Sequence, residues 1–218
     1  MSRDLQSEVV RVGLAGCGVV GGALVRLLDE SADSIERQHG IRFDVSQILV
    51  RDPHRERGLS PPRSVFTSDR NAFLANETDI VVEAIGGCEA ASYIARQSLT
   101  AGRRFVTANK ELIAKEGSEL ASLARSKSTA LDFGAAVGGS APVISLLRDL
   151  GGTPTPKSVR GILNGTSNYV LTLVERGASL EAALEKARSR GLAESNCTRD
   201  LDGSDAAAKL SIIAWMSF

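Results

Sequence analysis

The sequence predicts an α/β fold: a parallel sheet covered by helices on both faces, followed by a smaller second unit. Three observations carry this expectation. Short apolar runs alternate with amphipathic stretches of helical period through the first half of the chain. The glycine-rich and polar breaks follow the apolar runs, at Gly16–Gly21, Arg51-Asp52, Gly86-Gly87 and Ala108-Asn109-Lys110. The composition then changes near Gly134, where GAAVGGSAP is small and flexible. Strands alternating with helices imply a parallel sheet, and ligands of such sheets bind beyond the carboxyl ends of the strands. A boundary near residue 135 separates residues 1–135 from a second unit, 136–218.

The elements follow in order. Val9 to Ala15 reads as the first strand, and Val20, Ala23, Leu24, Leu27 and Leu28 recur at helical spacing after it. Arg42 to Val50 reads as a second strand, followed by the exposed loop RDPHRERGLSPPR, rich in Pro, Gly and charge. Asp69 to Ala75 forms a short helix and DIVVEA, Asp79 to Ala84, a buried strand. Glu89–Thr100 is helical, Arg104–Thr107 a short strand, Glu111–Ser126 helical, and Thr129–Phe133 another strand. In the second unit Ser140 caps a helix from about Ala141 to Asp149. Lys157–Leu163 reads as a strand, with Gly165-Thr166-Ser167-Asn168 leading into a helix from Tyr169 to Glu175. Ser179–Arg190 is helical with Ser179 as cap, Gly191–Asp202 an irregular polar loop, and Gly203 onward helical. The apolar pattern LSIIAWMSF runs to Phe218 without a helix-ending Gly, Pro or polar cap, which suggests an incomplete second domain or a partner surface there.

Gly16-Cys17-Gly18-Val19-Val20-Gly21 stands between the first strand and the first helix. This is the context a dinucleotide-binding turn requires. Gly16 permits the tight turn, Gly18 lets a pyrophosphate approach the backbone, and Gly21 lets helix and strand pack closely. The phosphates would sit on the free N–H groups of the helix N-terminus. The first unit is therefore expected to be a Rossmann-type nucleotide domain. At the end of the second strand an acid would hold a ribose 2′-hydroxyl and a base a 2′-phosphate. Arg51 precedes Asp52 there, with Arg55 and Arg57 close behind, which favours NADP over NAD. Lys110, at the same edge of the sheet, offers an ammonium to a substrate oxygen or to the cofactor.

Composition excludes several classes. Lys plus Arg equals Asp plus Glu at 26 each, so no global field draws nucleic acid. No apolar run approaches the ~18 residues of a membrane span. The opening MSRDLQSEVVR lacks an apolar signal core, and Cys17, Cys88 and Cys197 are scattered and odd in number. These features suit a reducing cytoplasm. The two histidines, His39 and His54, lie in polar stretches and form no metal cluster or triad.

The richest constellation is GLAESNCTRDLDGSDAAAK, with Glu194, Asp200, Asp202, Asp205 and Lys209. Asp205 and Lys209 are spaced i, i+4 and share a helix face. Asp202 joins that face if the helix starts early enough. Acids beside one Lys suit a small amphoteric substrate: the acids hold an ammonium, and Lys serves a carbonyl or hydroxyl oxygen. An exposed i, i+4 pair of this kind is also common on helix surfaces.

Several stretches together resemble the homoserine dehydrogenase family: RVGLAGCGVVGGALVRLL, DIVVEAIGG, VTANKELIAKEG, GILNGTSNYVLT and GLAESNCTRDLDGSDAAAKLSIIA. The resemblance implies an NAD(P)-dependent oxidoreductase interconverting L-homoserine and L-aspartate 4-semialdehyde, on the route to threonine, methionine and isoleucine. It implies a partial α+β catalytic and dimerisation domain over 136–218, and a homodimer. Lys209 aligns with the family's catalytic Lys, and Lys110 with a Lys near nicotinamide and substrate. Glu194, Asp200 and Asp205 align with substrate-pocket acids, and Val19, Val20 and Arg51 with cofactor positions; Gly86 belongs to the glycine pair of the resembling DIVVEAIGG stretch. The family's sodium ion, held by main-chain oxygens, would fall at Gly134, Val137, Gly139 and Ala141; the family often has Glu where this chain has Gly134. Ser195 replaces a common Pro. The alternative is a non-catalytic or truncated NAD(P)-binding protein. An aldehyde dehydrogenase using a thiohemiacetal needs an activated Cys with a base, and no cysteine here has a His nearby in sequence.

Overall fold

The computed structural model describes residues 7–59, 65–139, 141–150, 156–193 and 197–218. It divides into two compact units, Met1–Ala136 and Val137–Phe218.

The first unit is built on a parallel sheet in the order β3-β2-β1-β4-β5-β6. The strands are β1 (Glu8–Ala15), β2 (Ile41–Leu49), β3 (Phe66–Thr67), β4 (Ile80–Glu83), β5 (Arg104–Thr107) and β6 (Leu131–Asp132). This is the doubly wound order, in which the crevice lies where the order reverses, between β1 and β4. The register there sets Ala15 beside Glu83 and Glu83 beside Thr107. Three loops therefore leave the sheet at one level.

The helices are α1 (Val19–Glu30), α2 (Ala32–His39), α3 (Arg70–Ala75), α4 (Glu89–Thr100) and α5 (Lys110–Ser126). Strand residues Leu14, Ile48, Val81 and Phe105 are buried with Ile94 and Leu99 of α4 and Leu112 and Leu120 of α5. The central strands are apolar on both faces because helices cover both. Asp69 caps α3 by accepting from the Asn71 and Ala72 N–H groups at 2.8 and 3.1 Å. Asn109 caps α5 through the Leu112 N–H at 3.1 Å. Two elements escaped the sequence reading. Helix α2 has no buried residue and hence no apolar stripe, and β3 is a two-residue strand in polar surroundings.

The described part of the second unit is helical: α6 (Val143–Asp149), α7 (Gly165–Glu175), α8 (Leu180–Ser189), α9 (Thr198–Leu201) and α10 (Ser204–Ser217). Val170 of α7 packs with Ala183 and Ala187 of α8. Ile212 and Ile213 of α10 are buried, as is Ile144 of α6. Ser179 caps α8 as expected, through the Ala182 N–H at 3.2 Å.

Three expectations need correction. Lys157–Leu163 forms no strand: the described residues of this unit hold no other extended segment for it to pair with, and a strand needs a ladder partner. Gly165–Asn168 is the first turn of α7, because Asn164 supplies its N-cap by accepting from the Ser167 N–H at 2.8 Å. The stretch before Gly203 contains the short helix α9. Ser140, the expected cap of α6, lies outside the described residues, and Pro142 precedes that helix.

Candidate functional site

Two groups of polar residues draw attention, one in each unit. In the first, the glycine turn has the geometry its motif requires. Gly16 sits at φ 96°, and a Cβ there would come within 2.6 Å of the Ala84 carbonyl oxygen. A Cβ at Gly21 would overlap the Gly16 carbonyl oxygen, so α1 could not approach β1. Gly18 is different: a Cβ there meets nothing within 4 Å. Its freedom leaves room in front of the helix, where Val19 is 89% exposed. No side chain caps α1, whereas Asp69 and Asn109 cap α3 and α5. An uncapped N-terminus behind an open glycine turn fits a pyrophosphate.

A cavity of about 220 Å³ opens over β4 and β5, lined among others by Val20, Glu83, Gly86, Gly87, Asn109 and Lys110. A closed hydrogen-bonded circuit supports its walls. Glu83, fully buried at the end of β4, accepts from the Ile85 and Gly86 N–H groups at 2.8 and 3.2 Å. Its other oxygen accepts from the Thr107 hydroxyl at 2.5 Å. The Asn109 N–H donates to Thr107 Oγ1 at 2.9 Å, and Asn109 Nδ2 donates to the Gly87 carbonyl at 2.5 Å. Every partner of Glu83 in this circuit donates to it. Gly86 and Gly87 take positive φ, 73° and 71°, which lets the loop turn back over the strand end. Lys110 is the first residue of α5, half-buried at the cavity edge. Glu116, on the same helix, is held by Arg96 at 2.7 Å.

Arg51 follows β2 and is exposed. Asp52 is turned into its own loop: its carboxylate accepts from the His54 N–H at 2.9 Å, and its carbonyl accepts from Arg57 at 2.7 Å. Burial pushes the Cys17 thiol up, against the opposing pull of Arg57 and Arg26, so it is no ready thiolate. No group of His, Cys, Asp and Glu that could hold a metal occurs among the described residues. Of the sodium positions, Gly134 belongs to a 3₁₀ turn, Val137 is buried, Gly139 has φ 58°, and the Ala141 carbonyl accepts from the Val143 N–H at 2.8 Å.

In the second unit the i, i+4 pair is formed. Lys209 Nζ lies 2.6 Å from Asp205 Oδ2 and donates to the Leu163 carbonyl at 2.9 Å. The pair is shielded, with side chains 20% and 7% exposed. Asn164 joins the cluster: its Nδ2 donates to Asp205 Oδ2 at 2.9 Å and to Asp200 Oδ1 at 2.8 Å. Asp200, Asp205 and Lys209 are thus gathered around the Leu163-Asn164 segment. Asp202 is not. Helix α10 begins only at Ser204, and the exposed Asp202 accepts from the Ser204 N–H at 2.8 Å, which holds its carboxyl below the ordinary range. Glu194 lies outside the described residues.

Sequence reasoning missed Asn164, Asn109, Glu83 and Thr107. Asn before an apolar helix is an N-cap signal, and an acid inside DIVVEA is an anomaly in a buried strand, so two signals were present. Among the described residues no helix is long and apolar enough to cross a membrane.

Comparison with known proteins bears on both groups. Residues 16–133 match the family model "Homoserine dehydrogenase, NAD binding domain", and residues 142–218 match the model "Homoserine dehydrogenase". The chain is 38% identical to homoserine dehydrogenase of Pseudomonas aeruginosa over 213 residues, covering 96% of this chain and 48% of that one. It is 32% identical to the Bacillus subtilis enzyme, covering 97% of this chain and 49% of the relative. The crystal structure of a homoserine dehydrogenase from Thiobacillus denitrificans superposes with a TM-score of 0.81 at 36% identity, covering 98% of this chain and 50% of that one. The chain thus spans about half the length of the curated relatives it matches. Its glycine turn falls within the NAD-binding model and its Asp200–Lys209 cluster within the second model. The chain belongs to the homoserine dehydrogenase family.

Proposed function

We propose that the chain serves the NAD(P)-dependent interconversion of L-homoserine and L-aspartate 4-semialdehyde, a step toward threonine, methionine and isoleucine. The observation that carries this reading is the shielded Lys209–Asp205 pair, tied through Asn164 to Asp200. The glycine turn would hold the dinucleotide, which when bound would supply or accept the hydride. Lys209, the general acid/base, gives a proton to the substrate oxygen on reduction and takes it on oxidation. Asp205, Asp200 and Glu194 hold the substrate ammonium. Asp205 also fixes the Lys209 ammonium, and a fixed donor lowers the cost of reaching the reactive geometry. Lys110 is assigned to the nicotinamide and substrate end, which its place at the cavity edge supports.

The cofactor reading rests on Gly16, Gly18, Val19, Val20, Gly21 and Gly86, with NADP preferred. Asp52 spends its carboxylate on its own loop, while Arg51 is exposed at the strand end; this favours a 2′-phosphate. A sodium ion on main-chain oxygens of Gly134, Val137, Gly139 and Ala141, a homodimer and a cytoplasmic location complete the proposal. Domain roles follow the same division, nucleotide binding over 1–135 and catalysis over 136–218.

The test is direct. Purified protein with NADP⁺ should show absorbance of reduced nicotinamide on addition of L-homoserine and none with D-homoserine. Binding of NADP⁺ without L-homoserine-dependent reduction would instead favour a non-catalytic cofactor-binding protein.

A further inference from the structure

Of the circuit Glu83–Gly86–Gly87–Asn109–Thr107 only Gly86 has a place in the cofactor reading above, yet the circuit joins two loops that line one cavity. In a sheet of this order the dinucleotide lies across the crevice as two mononucleotide halves. The glycine turn after β1 and Arg51 after β2 belong to the adenosine half. The loops after β4 and β5 are on the other side of the switch point, so the cavity over them falls to the nicotinamide half. The loop after β4 is glycine-rich and its Ile85, Gly86 and Gly87 are exposed, and the loop after β5 is short. What holds them is polar. Glu83 fixes the Ile85 and Gly86 N–H groups, Asn109 fixes the Gly87 carbonyl, and Thr107 joins the two by donating to Glu83 while accepting from Asn109.

We infer that Thr107 is a positioning residue that preforms the nicotinamide half of the cofactor site by coupling the loop after β4 to the loop after β5. Thr107 itself is buried, 1% exposed, and acts only through Glu83 and Asn109. Its hydroxyl is suited to the task because it donates and accepts at once. Valine has the same shape and can do neither. It would leave a buried carboxylate oxygen and a buried N–H unpartnered, and the loops would find other arrangements. Serine restores both bonds. This inference rests on the dinucleotide reading of the first unit.

The test uses the whole chain and three probes in calorimetric titration: NADPH, reduced nicotinamide mononucleotide, and adenosine 2′,5′-bisphosphate, which has no nicotinamide. Thr107→Val should weaken NADPH and the mononucleotide by about tenfold, the loss of one buried hydrogen-bonded link, and leave adenosine bisphosphate unchanged within about twofold. Thr107→Ser should recover NADPH binding. Equal weakening of all three probes by Thr107→Val, or of none, overturns the inference. If Thr107→Val fails to fold, Glu83→Gln is measured instead and the same split is expected. Its amide keeps one acceptor oxygen and puts a donor in place of the other, so either Thr107 or the Ile85 and Gly86 N–H groups lose their acceptor and the link between the loops is broken. Wild-type protein that binds none of the probes overturns the dinucleotide reading itself, and the inference with it.

Discussion

Lys209 Nζ lies 2.6 Å from Asp205 Oδ2, one turn away along α10, and the Leu163 carbonyl receives a second hydrogen bond from the same ammonium. The pair is held from outside its helix. Asn164 donates to Asp205 and Asp200 and at the same time caps α7.

Asn164→Ala should therefore destabilise the protein more than a cap alone explains. A lost N-cap costs about 1 kcal/mol, and the buried Asp205 carboxylate losing a donor adds about 1–3 kcal/mol. Urea denaturation should show the combined loss. Asn164→Asp should be at least as damaging, because a third carboxylate replaces the donor. A change under about 0.5 kcal/mol for both, the range of an ordinary surface substitution, would contradict the keystone role.

Gly18 and Gly21 should separate binding from folding. Gly21→Ala drives a methyl into the Gly16 carbonyl oxygen and should cost about 1–3 kcal/mol of stability. Gly18→Ala meets nothing and should melt near wild type, yet lose NADPH affinity, because the methyl occupies the phosphate approach. Unchanged NADPH binding by Gly18→Ala in calorimetric titration would refute the phosphate assignment.

Arg51→Asp should weaken NADPH about tenfold or more and NADH little, a charge-assisted phosphate contact being worth roughly 1.5–3 kcal/mol. Equal losses for the two cofactors would remove Arg51 from the 2′-phosphate.

Glu116 gives a pH signature. Burial raises its carboxyl pKa, but hydrogen bonds from Ser92 and Arg96 outweigh burial and hold it below the ordinary value. A carboxyl depressed in the folded state stabilises above its unfolded pKa and loses that contribution as pH falls through the folded value. Wild type should exceed Glu116→Gln in urea midpoint at neutral pH, by about 0.5–1 kcal/mol for a pair this exposed. The gap should close in acid, below the ordinary glutamate range. A gap constant with pH would assign the effect to packing.

The legible parts of the fold are those with one-dimensional signals. β1, β4, α4 and β5 are apolar runs or stripes bounded by glycine or polar residues, and their limits are readable to within a residue or so. Helix α2 has eight residues, none of them fully buried, and β3 is held by two partners on β2, so neither carries an apolar run long enough to read. Lys157–Leu163 has a strand's composition but, among the described residues, no strand pairs with it, which only tertiary structure reveals. The Asp205–Lys209 pair is readable from spacing, since i, i+4 residues share a face. Asn164, distant from both in sequence, enters only when α7 is set beside α9. Thr107 and Glu83 meet only because β4 and β5 pair in register.

The most direct test of the account is the turnover of L-homoserine by wild type and Lys209→Ala, with NADPH binding measured on both. The account predicts wild-type reduction of NADP⁺, a loss of about 10²-fold or more in kcat for Lys209→Ala, and NADPH affinity unchanged. Turnover by Lys209→Ala close to that of wild type would contradict it.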